Sequence, residues 1–464
     1  MKDRKRRFVT FTFYDRTSIE NYLEKQAAEG WLLEKTSAFG WVFRRIEPAK
    51  LHFAVTYFPG ASAFDPGPSD RQLRFQEFCA HTGWELIASN AQIQIFCNRR
   101  EDPIPIETDP EIELENIHAS VKKSFLPTYF LDLLLGVMQV WMFFQRFSQD
   151  PIGALASTPS LLSLVLWGLL IVATGSELVL YYRWRSRAKA AARDGNFLET
   201  KSTVSFQYSI LGLSILALIC LALSYSSRVI TLSMAATVVG ILGITALMVL
   251  LSNLMKKRKF SSAANRNITL GTAVLLSLVF CAVLIGVIFG SIRDNADLRE
   301  GAETYEYNGW TFVEYHDELP LTIEDLMETD YEEYSYEAWT DESSFLLSRY
   351  EATQEPRYDA LDQPELQYRV VTVKVPGLYD FCLEQMFEEF SHNYGYPEDT
   401  EGWEVHQAVD PAPWDADAAY QLILGGEAQE RYLLCYEDRI VEIDFSWTPT
   451  EAQMEVVGQI LGTP

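Results

Sequence analysis

Three stretches of this chain, at 206–225, 230–252 and 270–292, contain no Asp, Glu, Lys or Arg. A helix of about 20 residues rises far enough to cross the roughly 30 Å hydrocarbon layer of a bilayer. A buried helix of that length in a soluble protein normally keeps a polar face, and these have none. Two further apolar stretches, 125–147 and 160–182, are long enough to span but are interrupted by Asp132 and Glu177. The chain is therefore read as a multi-pass membrane protein with five transmembrane helices, and every other segment has to be placed relative to the bilayer.

Basic residues decide the orientation, because Lys and Arg are retained on the cytoplasmic side. Arg183, Arg185, Arg187, Lys189, Arg193 and Lys201 lie between spans two and three, and Lys256, Lys257, Arg258, Lys259 and Arg266 between spans four and five. The segment 148–159 has no Lys or Arg, and the turn after span three has only Arg228. Arg146, near the outer end of span one, runs against the pattern. Charge also divides the chain. Residues 1–291 hold 30 Lys and Arg against 23 Asp and Glu, a net +7, whereas residues 292–464 hold 8 against 41, a net −33. A basic segment is drawn to anionic lipid and a strongly acidic one is repelled by it. The expected localisation is a bacterial plasma membrane, with the N-terminus cytoplasmic and the C-terminus extracytoplasmic. The bilayer is the first partner, and nucleic acid is not one.

Ahead of the first span the chain reads twice as strand, helix, Gly-Trp, strand, strand. The first copy is a strand at 8–14, a helix at 18–29 with Thr17 or Ser18 as its N-cap, and a hairpin of 31–36 with 40–46. The second is a strand at 51–58, a helix at 69–82, and a hairpin of 84–89 with 92–98. Gly30-Trp31 corresponds to Gly83-Trp84, Leu33 to Leu86 and Phe43 to Phe96, always at an offset of 53. A duplicated β-α-β-β unit follows, and two such units can join into one antiparallel sheet with both helices on one face. Trp31, Trp41, Phe43 and Trp84 are read as core, and His52 and His81 have no partner at catalytic or metal spacing. An extended stretch from Pro103 to Asp109 leads to an amphipathic juxtamembrane tether at 110–124.

The Gly-Trp hairpins, the Pro-Ile-Glu-Thr-Asp stretch and the hydrophobic spans that follow resemble a bacterial membrane family, domain of unknown function 2812. The resemblance covers about residues 7–109 and implies no activity.

Residues 293–464 are long enough for a core of their own. Strand signals at 310–315, 366–375, 431–436 and 440–447, with helices at 378–391 and from Thr448 onward, predict an α+β domain. The fold class is thus a multi-domain membrane protein: an α+β domain at 1–109, the tether at 110–124, a five-helix bundle at 125–292 and an acidic α+β domain at 293–464. The acidic stretch 324–342 and the pair Asp415 and Asp417 are read as a solvated face, with a basic peptide or a cation as the partner class such a surface would take. Cys382 and Cys435 are either a disulfide or two small buried residues.

No HExxH, GxSxG, phosphate-binding or dinucleotide-binding loop, SxxK or kinase pattern stands in usable context, and no Cys/His spacing suits a metal. No catalytic residue, cofactor or metal ligand is assigned. Asp132 and Glu177 are the intramembrane polar candidates, since carboxylates are costly to bury in lipid, although each is also read as reaching the interface or pairing with a neighbour such as Arg183. The leading reading is a non-catalytic sensor or regulatory scaffold that links an outer domain to a cytoplasmic one. The alternatives are a transporter or accessory subunit using Asp132 and Glu177, and an enzyme whose site leaves no motif.

Overall fold

A computed structural model describes residues 3–9, 11–37, 40–201, 203–224, 228–296, 303–329, 334–358, 360, 362–392 and 406–463. In chain order the N-terminal elements are β1 (Arg4–Arg7), α1 (Arg16–Ala28), β2 (Trp31–Lys35), β3 (Trp41–Arg45), β4 (His52–Tyr57), α2 (Asp70–His81), β5 (Glu85–Asn90) and β6 (Ile93–Asn98). The helices α3 (Pro110–Gln149), α4 (Pro151–Ala156), α5 (Thr158–Arg193), α6 (Val204–Leu223), α7 (Arg228–Lys257) and α8 (Ser262–Ala296) follow. Five of these, α3 and α5–α8, are long and apolar enough to cross a membrane. The expected end of span three at residue 225 lies outside the described residues. Contacts divide the chain into two compact units, one built on residues 1–140, 165–222 and 230–285, the other on 141–164, 223–229 and 286–464.

In the first unit the duplication is visible down to register. Leu33 of β2 stands opposite Phe43 of β3, and Leu86 of β5 stands opposite Phe96 of β6. Each pair of strands then slips at the same place, between Leu33 and Lys35 in one copy and between Leu86 and Ala88 in the other. Gly30 and Gly83 both adopt positive φ, +83° and +90°, which glycine reaches without the penalty a Cβ would bring. The two copies do not merge into the single sheet expected. They form two three-stranded sheets, β1-β3-β2 and β4-β6-β5. The bulged strands β2 and β5 are edges of their sheets, and a bulge bends a strand and interrupts its ladder, which disfavours pairing across that edge.

Two local expectations are corrected. The first strand is Arg4–Arg7, opposite Trp41–Arg44, and the described residues of the expected strand, 8, 9 and 11–14, are not strand. The alternating aromatics there arise from packing instead: Tyr14 is buried, with ring centroids 5.1 Å from Tyr181 and 5.2 Å from Trp184. Asp15, rather than Thr17 or Ser18, caps α1 by accepting from the Ser18 amide. The second cap follows the sequence closely, with Ser69 and Gln72 forming a reciprocal capping box on α2. The tether expected at 110–124 is the start of the single helix α3, whose Ile117, Val121 and Phe125 are buried in the core of the N-terminal domain.

Polar contacts from the loop after α5 and from the N-terminal turns of α8 and α3 hold this unit together. Thr200 Oγ1 donates to Asp15 Oδ1 at 2.5 Å, Asn265 Nδ2 donates to the Phe64 carbonyl at 2.9 Å, and Lys123 Nζ to those of Pro59 and Ala61. Close packing at glycine does the same among the helices. A Cβ at Gly136 would stand 2.7 Å from Ile171, and one at Gly240 would stand 2.3 Å from the Phe280 ring.

In the second unit, β7 (Glu303–Tyr307) and β8 (Trp310–Glu314) form a hairpin. After the short α9 (Ile323–Leu326) come β9 (Tyr334–Ser343), β10 (Leu347–Pro356), β11 (Leu366–Val373), α10 (Tyr379–His392), β12 (His406–Val409), β13 (Ala418–Leu424), β14 (Glu427–Cys435), β15 (Arg439–Phe445) and α11 (Glu451–Leu461). The last seven strands make one antiparallel sheet of order β12-β13-β14-β15-β11-β10-β9. Period-two alternation gives it two apolar faces. Leu434, Val441 and Ile443 share one cluster with Val457 and Leu461 of α11, whereas Leu433, Ile440 and Val371 share the other with Cys382 and Met386 of α10. Ile152 and Ala156 of α4 are fully buried in that second cluster, so the turn between the first two membrane helices is part of this domain's core. Asp150 meets Arg349 at 2.8 Å, and Thr158 Oγ1 donates to the Ser343 carbonyl at 2.7 Å. Residues 330–333 of the acidic stretch lie outside the described residues, and 334–342 are strand.

Candidate functional site

Glu177 sits on α5 among uncharged sequence neighbours, and it is 4% exposed. Its Oε1 accepts from Thr203 Oγ1 at 3.1 Å and from Gln207 Nε2 at 2.9 Å, both at the start of α6. Thr203 and Gln207 are four residues apart, one helical turn, and Gln207 Nε2 also reaches Thr203 Oγ1 at 3.2 Å. The Oε2 atom is buried with no hydrogen-bond partner. A buried carboxylate oxygen left unsatisfied costs free energy, so its surroundings explain it or a ligand does.

The surroundings are a cavity of about 710 Å³. On one side stand the helices: Phe125, Tyr129 and Asp132 of α3, Thr174 and Glu177 of α5, and Phe206, Gln207 and Ile210 of α6. Phe125, Tyr129 and Asp132 recur at i, i+4 and i+7, which places them on one face of α3. The other side is the N-terminal domain: the non-helical segment from Phe8 to Phe13, with Trp41 of β3 and Ile93 of β6. The two carboxylates singled out in the sequence therefore line one cavity. Among the described residues that line it, none is Lys, Arg or His. Glu177 pairs with Thr203 and Gln207, not with Arg183. Such a site has spare acceptor capacity, net negative charge and aromatic walls.

A second group of charges lies within the N-terminal domain. Arg16 Nε is 2.8 Å from Glu113 Oε1, and Glu20 Oε1 accepts from the Val55 amide at 2.8 Å. Val55 is on β4, an edge strand, so this carboxylate occupies a backbone donor that the sheet leaves unpaired. Burial pushes Glu20 up to about 7, and burial together with the nearby Glu113 charge pushes Glu107 up to about 7. The arrangement fastens α1, β4 and the start of α3.

In the C-terminal domain the sheet face that carries α10 also carries a charge ladder. Arg349, Glu351, Arg369, Glu442 and Arg431 connect in turn, with Arg369 to Glu351 at 2.6 Å and Glu389 of α10 and Glu442 each within reach of an arginine. Three arginines are thereby set against four carboxylates, Asp150, Glu351, Glu389 and Glu442. Cys382 and Cys435 are buried free thiols rather than a disulfide, and burial raises both to about 11. Among the described residues no group of three His, Cys, Asp or Glu side chains is arranged to hold a metal ion, and this includes Asp415 and Asp417.

Sequence reasoning found Asp132 and Glu177 but not their surroundings. Thr203 and Gln207 carried a weak signal, a polar pair one turn apart at the mouth of a charge-free span. Residues 8–13 carried a misleading one, because their alternation resembles a strand.

Residues 15–129 match the family described as "Protein of unknown function (DUF2812)". Over that quarter the chain is similar to this family. No curated protein and no solved structure matches. The matched stretch runs from the cap of α1 to Tyr129, so it includes Trp41, Ile93, Phe125 and Tyr129 of the cavity but neither Phe8 to Phe13 nor Asp132 and Glu177.

Proposed function

We propose that this multi-pass membrane protein is a non-catalytic sensor or regulatory scaffold of a bacterial plasma membrane, with a cytoplasmic N-terminal domain and an extracytoplasmic C-terminal one. One observation carries the reading. The cavity beside Glu177 has membrane helices for one wall and the N-terminal domain for the other, so an occupant would touch both and bias their packing. Two of the helices concerned, α3 and α5, are joined by the segment 150–157, which is built into the core of the outer domain. A change in either helix is thus covalently connected to a docked element. The acidic outer surface would receive a basic peptide or a cation.

The presence of Asp132 and Glu177 at one cavity also favours a second reading, a transporter or transporter accessory subunit.

Filling the cavity tests the sensor reading without any knowledge of the ligand. Ser214 lines it, and Ser214→Trp in the full chain adds bulk without touching either carboxylate. The expected result is altered hydrogen-exchange protection both in residues 8–14 and in the segment 150–157 with β10. A change confined to the cavity walls overturns the relay. Cation flux into proteoliposomes that survives removal of residues 303–464 and is lost in Glu177→Gln would establish the transporter instead.

A further inference from the structure

We infer that the cavity beside Glu177 binds an amphipathic organic cation, a positively charged centre carried on an apolar body. The inference rests on the cavity as the functional site and adds the chemistry of its occupant.

Three properties of the site lead to this class. The first is charge: Asp132 and Glu177 both line the space, and none of its described lining residues is cationic. Glu177 is the sharper of the two. It is 4% exposed, one oxygen is held by Thr203 and Gln207, and the other is buried with nothing bonded to it. Thr203 and Gln207 fix the direction of the carboxylate, and the free oxygen is the acceptor left for a donor or a positive charge. The second is size. A cavity of about 710 Å³ is far larger than a bare metal ion needs and falls in the range that holds a drug-sized molecule. The third is the wall. Phe11, Trp41, Phe125, Tyr129 and Phe206 give an aromatic lining, which receives an apolar body and attracts a cation through the ring faces. An anion would meet two like charges, and a neutral apolar molecule would leave the buried Glu177 oxygen unpaired.

A soluble cation and the amine headgroup of a lipid share this chemistry, and the experiment separates them. The full chain is purified in dodecylmaltoside, an uncharged detergent, and equilibrium binding of radiolabelled tetraphenylphosphonium is measured. The expected result is saturable binding, weakened about tenfold or more in Glu177→Gln and less in Asp132→Asn, where the carboxylate is only half-buried. Tetraphenylmethane, of the same shape without the charge, is expected not to compete. Ser214→Trp, which keeps both carboxylates, is expected to abolish binding by occupying the space and so carries the test if Glu177→Gln fails to fold. Competition by phosphatidylethanolamine but not by phosphatidylglycerol would identify the lipid headgroup as the source, and no competition by either would identify a free cation. Equal affinity in wild type, Glu177→Gln and Asp132→Asn, or equal competition by tetraphenylmethane, would overturn the inference. Those outcomes leave the relay untouched, because Ser214→Trp reports on it through hydrogen exchange with no ligand present.

Discussion

At the scale of single residues, carboxylates placed where water is scarce set much of the behaviour of the N-terminal domain. Glu20 is the clearest case outside the membrane. Burial raises it from an ordinary 4.5 to about 7, even though the Val55 amide donates to it and Arg16 lies near. A carboxyl group whose folded-state value is raised favours the folded state most when protonated. The stability it contributes is therefore fully present below about 4.5 and is lost as pH rises through about 7. Glu107, raised to about 7 for the same reason, acts in the same direction. The N-terminal domain is expected to lose on the order of 1–3 kcal/mol between pH 5 and pH 8 through these groups. Glu20→Gln keeps an acceptor for Val55 and carries no charge, so it should flatten that dependence. Hydrogen exchange at the β4 amides across this pH range measures it. A slope as steep in Glu20→Gln as in wild type would assign the dependence to Glu107 or elsewhere.

Elements show where local preference loses to packing, and α11 supplies a case in which the sign can be decided. Gly458 lies in the middle of that helix, where replacing glycine by alanine ordinarily gains about 1 kcal/mol. Here a Cβ would stand 2.0 Å from the Trp414 carbonyl oxygen and 2.7 Å from its carbonyl carbon. Those are backbone atoms of a fully buried residue that also accepts from the Tyr436 hydroxyl, so the neighbour has little freedom to move. Gly458→Ala should therefore destabilise the outer domain by about 2 kcal/mol or more, the overpacking cost exceeding the propensity gain. Faster exchange across α11 and β15 is the expected observation, and slower exchange would show that α11 shifts outward at little cost. Such contacts explain which parts of the fold were legible in the sequence. Leu33, Phe43, Leu86 and Phe96 announced the duplication because each repeats an identical environment. The capping box at Thr450 and Gln453 announced the last helix because its signal is local. Strand β9 did not, since its acidic run reads as loop until β10 pairs with it, and neither did the burial of Ile152 and Ala156, which depends on strands some 200 residues later. For the cavity, Asp132 and Glu177 stood out against apolar neighbours, whereas the wall at residues 8–13 comes from chain geometry that no periodicity encodes.

For the whole molecule the decisive question is the side of the membrane on which each part lies, and the charge rule gives an expectation that the contacts within each unit extend to the domains. Retention of Lys and Arg predicts the cytoplasmic side for the loops after α5 and α7. The N-terminal domain is held by the first of these loops, through Thr200 to Asp15, and by the first turn of α8 beside the second, through Asn265 to Phe64. The loop after α3, which has no Lys or Arg, holds the C-terminal domain through Asp150 to Arg349 and α4 to the sheet. Within each unit, then, a domain is expected on the side that the charge rule assigns to the loops it contacts, and an odd number of spans predicts opposite sides for the two ends. Single cysteines at Ser148, Ala190, Ser261 and Ser343, all exposed, test this with a membrane-impermeant maleimide on intact cells. The native thiols should stay silent. Cys79, Cys97, Cys382 and Cys435 are buried and pushed up to about 11, and Cys220 and Cys281 lie within the apolar spans of α6 and α8, where a membrane-impermeant reagent is not expected to reach. Labelling at Ser148 and Ser343 but not at Ala190 or Ser261 is the expected pattern. The reverse pattern would invert the bundle and place the acidic domain in the cytoplasm. Labelling at Ser148 without Ser343 would do more damage, because it would separate two positions that the Thr158–Ser343 hydrogen bond keeps together and so contradict the docking of α4 on which the relay depends.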